Sequence, residues 1–173
     1  DLKPNNIGYK GISTTHPKGH YLLFDLGVAS FSDKPHLQET FGTLVKSPEC
    51  YRGDTPSVYS DIFELGMALA WLALGAPPYL IGSDFDPNNP PFEPGQGRED
   101  LLKHCNKISN SDSFYTDLDH KLKENLGPTL SNLISILVRK DPSKRPGSRK
   151  LAGWCSPMLY KLENSTSYIE RST

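Results

Sequence analysis

Side chains that can do chemistry are concentrated in the first six residues and again near position 25. The stretch Asp1–Asn6 reads DLKPNN and carries a carboxylate, an ammonium group and a carboxamide. Asp25 and Gly27 follow a short apolar run. These residues form a dense set of functional groups, although Asp and Asn beside a proline also form ordinary turns, and Asp-Leu-Gly is an ordinary exit from a strand.

The segment that must hold these groups in place is DIFELGMALAWLAL, from Asp61 to Leu74. Only Asp61 and Glu64 are charged, and the apolar residues fall on every side, so a helix here is predicted to be buried. The segment is too short to cross a bilayer, which needs about 20 apolar residues. We predict a central core helix that is capped by Asp61, with Glu64 reaching back, and that stops at Gly75.

Weaker periodic signals predict the elements around this helix. Two short runs of strand-forming residues, Ile7–Lys10 and Tyr21–Phe24, predict a small hairpin. Apolar residues at helical spacing predict helices over Leu101–Ile108 and Leu130–Val138. Pro128 is placed to occupy the first turn of the second of these helices. Residues 148–162 are expected to form one last helix or two short pieces.

Two segments lack any periodicity and are predicted to be irregular. Leu26–Glu49 reads as a long exposed loop with a role of its own. Pro77–Gly97 contains more proline than a helix tolerates, and it is either a variable surface insertion or a site that docks a partner. Residues 163–173 form a polar tail.

Composition sets limits on the class of protein. A length of 173 residues corresponds to one domain. A net charge of -1 provides no excess of positive charge that would bind nucleic acid or an anionic membrane. The three cysteines are far apart and form no CxxC pair, which argues against a disulfide framework or a zinc site. We therefore expect an intracellular protein, cytoplasmic or nuclear, and the opening DLKPNN suggests a piece of a longer chain.

Six motifs, taken in order, resemble the C-terminal lobe of a eukaryotic-type protein kinase. They are DLKPNN at Asp1, DLG at Asp25, SPE at Ser47, the central helix opening with Asp61, GAPPY at Gly75 and DPSKRP at Asp141. The Lys-Pro pair is similar to serine/threonine kinases rather than tyrosine kinases. The resemblance implies a mainly α lobe of an α+β family, a helical bundle around a buried central helix with a small β-hairpin carrying the catalytic loop. It covers residues 1–162, with the N-terminal lobe missing.

The resemblance also implies roles for the reactive side chains. Asp1 matches the carboxylate that accepts or orients the substrate hydroxyl proton, and Lys3 matches the cation that contacts the transferred phosphate. Asn6 and Asp25 match the two metal ligands, and Gly27 gives the backbone room beside Asp25. The implied cofactors are ATP and Mg²⁺, and the implied substrates are protein hydroxyl groups. Without the N-terminal lobe, this piece alone is expected to be inactive.

Two structural contacts follow from the same resemblance. Glu49 and Arg145 match a buried ion pair that ties the end of the activation segment to the helical part of the lobe. Asp61 matches a residue that hydrogen-bonds the backbone of the catalytic loop.

Thr40 is the favoured phosphorylation site over Ser30 and Ser32.

Three departures from the family pattern leave an alternative open. Leu26 replaces the usual Phe after Asp25, and the spacing to Glu49 lets either Gly42 or Thr43 take the place of the substrate-positioning threonine. The proline-rich segment is longer than usual. These features fit a pseudokinase or scaffold that keeps the fold for binding, whereas the presence of all four reactive polar side chains favours an enzyme.

Overall fold

The computed structural model describes residues 1–11, 20–27, 29, 44–81 and 97–157, and one helix, α2 (Val58–Leu74), forms the centre of its core. From Ile62 to Leu74 the side chains of this helix are buried or half-buried, except for the exposed Leu72, while Val58, Tyr59 and Asp61 at its start are exposed. The predicted buried central helix is thereby confirmed. Its fully or almost fully buried apolar residues are Ile62, Phe63, Met67, Ala68 and Ala70.

Both ends of α2 are determined by local signals. Ser57 is the N-cap, since its hydroxyl accepts from the Tyr59 amide at 3.2 Å, and the Ser60 hydroxyl accepts from the Ser57 amide at 3.1 Å. The prediction of an Asp61 cap was wrong because this reciprocal serine pair satisfies the free amides one turn earlier. Gly75 ends the helix with a φ of 71°, as predicted.

The hairpin that carries the loop of reactive residues forms as predicted, with its second strand shifted by one residue. Strands β1 (Ile7–Lys10) and β2 (His20–Leu23) pair antiparallel, with Ile7 opposite Leu23. A short 3-10 helix, Pro4–Asn6, leads directly into β1. The Phe24 amide donates to the Asn6 carbonyl at 2.8 Å, which joins the end of β2 to the loop before β1.

In the described part of the chain, four further α-helices surround the central one. They are α1 (Pro48–Tyr51), α3 (Gly97–Ser109), α4 (Asp112–Leu137) and α5 (148–157). The predicted helix Leu101–Ile108 lies inside α3, and Leu130–Val138 overlaps the end of α4, with Val138 as its C-cap. Both predictions were too short. The first half of α4 was missed because it buries only one residue per turn: Phe114, Leu118 and Leu122.

A break divides α4 into two parts. Gly127 has a left-handed φ of 69°, and Pro128 begins the second part in the first-turn position predicted for it. Within the described residues, the main core forms where α2 packs on α4, and a smaller cluster joins Ile62, Leu137 and Leu151. The predicted fold class, helices around a buried central helix with a small hairpin, is confirmed.

The predicted exposed loop Leu26–Glu49 is wrong over its last residues. Val45, Ser47, Pro48 and Glu49 are buried, because this part of the chain packs into the core beside Arg145. Residues 28 and 30–43 lie outside the described residues, as do 82–96 and the tail 163–173. No helix in the described part of the chain is long and apolar enough to span a membrane.

Gly66 lets α2 and the end of α4 approach closely, and we predict that Gly66→Ala destabilises the fold. A Cβ at Gly66 would lie 2.7 Å from Val138 Cγ1 and 2.8 Å from Leu137 Cβ, so the helices must separate. The expected loss in free energy of unfolding is about 1 to 3 kcal/mol, measured by urea denaturation.

Gly153→Ala is the matched control for this substitution. Gly153 lies in helix α5, and a Cβ added there would meet no atom within 4 Å, so the change should be neutral or stabilising by up to about 1 kcal/mol. Equal stability of the two variants would contradict a close contact at Gly66.

Candidate active site

The loop Asp1–Asn6 is a compact turn closed by its own hydrogen bonds. Pro4 opens the 3-10 helix, where a missing amide has no cost, and the Asn6 amide donates to the Lys3 carbonyl at 2.9 Å. The Asn6 carboxamide nitrogen donates to the Asp1 carbonyl at 2.9 Å. These two bonds tie the loop's ends together, so its three reactive side chains are held on one short segment.

The Asp1 carboxylate is the centre of this group. Its Oδ2 lies 2.6 Å from the Lys3 ammonium and 3.3 Å from the Asn6 carboxamide nitrogen. Its Oδ1 is buried and has no hydrogen-bond partner among the described residues. The side chain as a whole is only 7% exposed. A buried carboxylate oxygen without a donor is an acceptor available to a hydroxyl, a water or a metal ion.

Asp25 is brought near this loop by the hairpin but is not bonded to it. It follows Phe24, whose amide is joined to Asn6, and it has a left-handed φ of 55°. Its exposed carboxylate accepts from the Gly27 amide at 3.3 Å. A Cβ on Gly27 would lie 3.2 Å from that oxygen, a tight contact that a small shift of the exposed carboxylate would relieve. Within the described residues, no hydrogen bond joins the Asp25 carboxylate to Asp1, Lys3 or Asn6.

The predicted metal ligands supply suitable donors. Because the Asn6 carboxamide nitrogen bonds Asp1, its oxygen is the atom left for a metal, and Asp25 adds a carboxylate. A carboxamide, a carboxylate and phosphate oxygens are a set that Mg²⁺ uses. No group of three or more His, Cys, Asp or Glu side chains that could hold a metal occurs among the described residues. The residues therefore fit a shared protein–phosphate magnesium site, and their metal-binding role stays a prediction.

Glu64 is a residue of this site whose role the sequence did not predict. It lies on α2, and its Oε2 accepts from the Leu2 amide at 3.0 Å, across 62 positions of the chain. The backbone nitrogen of Asp1 is 3.2 Å from the same oxygen. The predicted bond from Asp61 to this loop was wrong for the described residues: Asp61 is exposed in the first turn, whereas Glu64 lies one turn further along on the buried side.

Glu64 could have been noticed as a charged residue inside an otherwise apolar helix. Burial raises the pKa of its carboxyl group above the usual value, while the positive charge on the Asp1 nitrogen and then the bond from the Leu2 amide act in the opposite direction. Such a carboxylate is costly to bury without donors, so its presence in the core helix indicates a partner.

The predicted ion pair between Glu49 and Arg145 is present. Arg145 Nη2 lies 2.8 Å from Glu49 Oε2, and Nη1 lies 2.5 Å from Oε1, which makes the pair bidentate. The arginine also donates to the carbonyls of Tyr59, Arg139 and Lys140, and its guanidinium lies over a core aromatic ring. Its side chain has no exposed surface. The remaining predicted regulatory or positioning residues lie outside the described residues: Ser30, Ser32, Thr40, Gly42 and Thr43.

Known proteins similar to this chain are kinases. It is 30% identical over 156 residues to mitogen-activated protein kinase kinase 5 of Leishmania mexicana. It is 27% identical over 155 residues to the calcium and calcium/calmodulin-dependent serine/threonine-protein kinase DMI-3 of Medicago truncatula. It is also 27% identical over 174 residues to mitogen-activated protein kinase kinase 1c of Physcomitrium patens. This chain is related to the protein kinases. The resemblance drawn from six motifs is confirmed.

The kinase-related region covers most of this chain but a smaller share of each relative. The match to the Leishmania mexicana kinase covers 87% of this chain and 26% of that protein. The match to DMI-3 covers 87% and 25%, and the match to the Physcomitrium patens kinase covers 99% and 44%. No protein-family model matches the chain. A solved structure of the Rad53 kinase domain and SCD2 in complex with AMPPNP is 18% identical, covers 88% of this chain and 47% of its own, and has a TM-score of 0.49.

We predict that Arg145→Leu strongly destabilises the protein, because it leaves the buried Glu49 carboxylate without its partner. Breaking a buried pair costs about 3 to 5 kcal/mol, which corresponds to a fall in melting temperature of about 6 to 20 °C for a domain of this size. Arg52→Leu is the matched control, since Arg52 is 44% exposed and its pair with Asp54 lies on the surface. Similar melting curves for the two variants would refute a stabilising role for the pair.

We also predict a specific loss of stability in acid. Burial by itself raises the pKa of Glu49, but the hydrogen bonds and charge of Arg145 outweigh burial and hold it below its ordinary value of 4.5. The unfolded state then binds the proton more readily, so the contribution of Glu49 is complete above about pH 4.5 and is lost as the pH falls through the folded-state pKa.

Urea unfolding of wild type and Glu49→Gln, measured from neutral pH to below pH 4.5, checks this prediction. The stability difference between the two proteins should narrow as the pH falls. A difference that stays constant over the whole range would contradict a lowered pKa at Glu49.

Proposed function

We propose that this chain is the catalytic-loop side of a serine/threonine protein kinase, which transfers the γ-phosphoryl group of ATP to protein Ser or Thr hydroxyls. The observation that carries the proposal is the Asp1 carboxylate, buried beside the Lys3 ammonium with one oxygen free of described partners. That oxygen suits acceptance of a hydroxyl proton, and the neighbouring cation suits the charge of a phosphoryl group. Kinship with serine/threonine kinases supports the same reaction.

Each reactive residue has one task in this proposal. Asp1 accepts a hydrogen bond from the substrate hydroxyl and orients its oxygen for attack. Lys3 contacts the phosphoryl oxygens and keeps the Asp1 carboxylate in place. Asn6 and Asp25 hold magnesium, which, when bound, neutralises charge on the phosphates. Gly27 leaves its amide free to bond Asp25, and this bond orients the carboxylate.

The proposed kinase segment is residues 1–162, followed by the polar tail 163–173. The sequence contains no G-x-G-x-x-G pattern of the kind that covers ATP phosphates in kinases, so we expect residues 1–173 alone to be inactive. An ATP-dependent enzyme whose described cysteines are free suits the interior of the cell, cytoplasm or nucleus. Protein substrates, and docking of a partner at residues 77–97, complete the proposal. Pro78, Tyr79 and Leu80 at the start of this segment are buried in the core, so they are not part of the docking surface. The near-neutral charge gives no reason to add nucleic acid.

The rival function is a pseudokinase or scaffold. It is favoured by one feature, the Asp25 carboxylate, which is exposed and bonded to Gly27 rather than to the loop that carries Asn6. The two functions differ in one measurable step. A pseudokinase can bind ATP with Mg²⁺, whereas only an enzyme releases ADP together with a phosphorylated protein.

The test is phosphorylation of a protein substrate by the full-length protein with Mg²⁺ and labelled ATP. Asp1→Asn removes the acceptor and Asp25→Asn removes a metal ligand, and each should lower kcat by about 100-fold or more. Asp54→Asn is the control, since this carboxylate is 57% exposed and pairs only on the surface. Chelation of Mg²⁺ should abolish the wild-type rate. A wild type that binds ATP without transferring phosphate contradicts the proposal and favours the pseudokinase.

A further inference from the structure

Two backbone nitrogens of the reactive loop converge on one carboxylate oxygen of the core helix. The Leu2 amide donates to Glu64 Oε2 at 3.0 Å, and the Asp1 nitrogen, an ammonium in this chain, lies 3.2 Å from the same oxygen. The Glu64 side chain is 11% exposed, and its neighbours on α2, Phe63 and Met67, are completely buried. The carboxylate is thus a nearly buried acceptor on the core helix, and its described donors belong to the first two residues of the loop.

The presence of a glutamate at position 64 is explained by its bonds to the loop, since packing in the core does not require an acid there. A buried carboxylate loses its hydration, and an apolar side chain of similar length would pack here at less cost. Hydrogen bonds from backbone amides to a carboxylate are charge-assisted and about twice as strong as neutral ones. The gain from Glu64 therefore comes from fixing the backbone of Asp1 and Leu2.

The other hydrogen bonds of the loop are internal or lead to the hairpin. The Asn6 amide bonds Lys3, the Asn6 carboxamide bonds Asp1, and the Asn6 carbonyl accepts from Phe24. These bonds set the shape of the turn but leave its first residues free to move against the core. In the described part of the chain, the bond to Glu64 is the one that connects the Asp1 end of the loop to the central helix.

We infer that Glu64 is the positioning residue that fixes the Asp1 end of the loop to the core helix and thereby sets the place of the Asp1 carboxylate. This inference deepens the proposed function and rests on it for its effect on catalysis. Glu64 touches no substrate in this arrangement. It acts through the backbone of Leu2, the residue that joins Asp1 to Lys3 in the chain.

The first experiment measures the loop directly and requires no catalytic activity. Amide hydrogen exchange at Leu2 is followed by NMR in the full-length protein for wild type, Glu64→Gln and Glu64→Met. Glutamine keeps an acceptor oxygen, and methionine keeps the length without one. We expect exchange in Glu64→Met to be faster by about tenfold or more, and exchange in Glu64→Gln to stay close to wild type.

Two controls separate the bond from general effects of substitution. Glu124→Met makes the same change on the surface of α4, where the side chain is 61% exposed, and should leave Leu2 exchange unchanged. Asp61→Asn tests the other acid of the same helix. If Asp61→Asn accelerates Leu2 exchange and Glu64→Met does not, the inference is overturned and the anchoring role belongs to Asp61.

The second experiment measures the consequence for phosphoryl transfer. Glu64→Met should lower kcat by about tenfold or more while leaving the KM for ATP within about twofold, and Glu64→Gln should restore most of kcat. Melting curves are recorded for each variant, because a merely structural role would change stability without this split between kcat and KM. Equal kcat in wild type and Glu64→Met, or equal loss in both variants, overturns the positioning role.

The two experiments also distinguish failure of this inference from failure of the proposed function. A wild type that transfers no phosphate refutes the kinase activity, and the exchange data then decide the anchoring of the loop alone. An active wild type with unchanged Leu2 exchange in Glu64→Met refutes the inference and leaves the kinase activity standing.

Discussion

The bidentate pair between Arg145 and Glu49 is the interaction on which the helical core depends. A buried ion pair is tolerated only when nearly all its donors and acceptors are satisfied, and here the arginine also bonds three backbone carbonyls while Ser60 donates to the glutamate. One side chain therefore joins α1, the start of α2 and the turn after α4. The groups that bond Arg145 come from these three elements. If one element shifted relative to the others, a hydrogen bond of the buried arginine would break.

Glu64 on the central helix is a second buried carboxylate, and its structural role differs from that of Glu49 on α1. The pair at Glu49 holds helices to one another, whereas Glu64 reaches out of the core to a loop of reactive residues. Just beyond Glu64, α2 packs so closely on the end of α4 that Gly66 cannot carry a side chain without a clash. A rigid rod with an acceptor on its side is a suitable support for a loop that must place one carboxylate accurately.

The hairpin gives the site its second source of ligands. The register of the two strands puts Phe24 beside Asn6, and the next residue, Asp25, turns away in a left-handed conformation. A Cβ on Gly8 would collide with the Phe24 ring, which is half exposed and would have to move aside. The loop before β1 and the turn after β2 are therefore adjacent by backbone hydrogen bonding, while the Asp25 side chain keeps a separate set of contacts.

The sequence by itself determined the features that depend on near neighbours: the order of motifs, the buried central helix and its end at Gly75, the hairpin, and Pro128 in a first turn. These follow from periodicity and from backbone preferences that act within a few residues. Glu49 with Arg145 was found by resemblance, since nothing local relates positions 96 apart. Only the tertiary structure decided that Ser57 caps α2 and that Glu64, rather than Asp61, meets the Leu2 amide. The donor that a buried acid bonds is determined by how the elements pack together. The spacing of residues along the sequence does not show this packing.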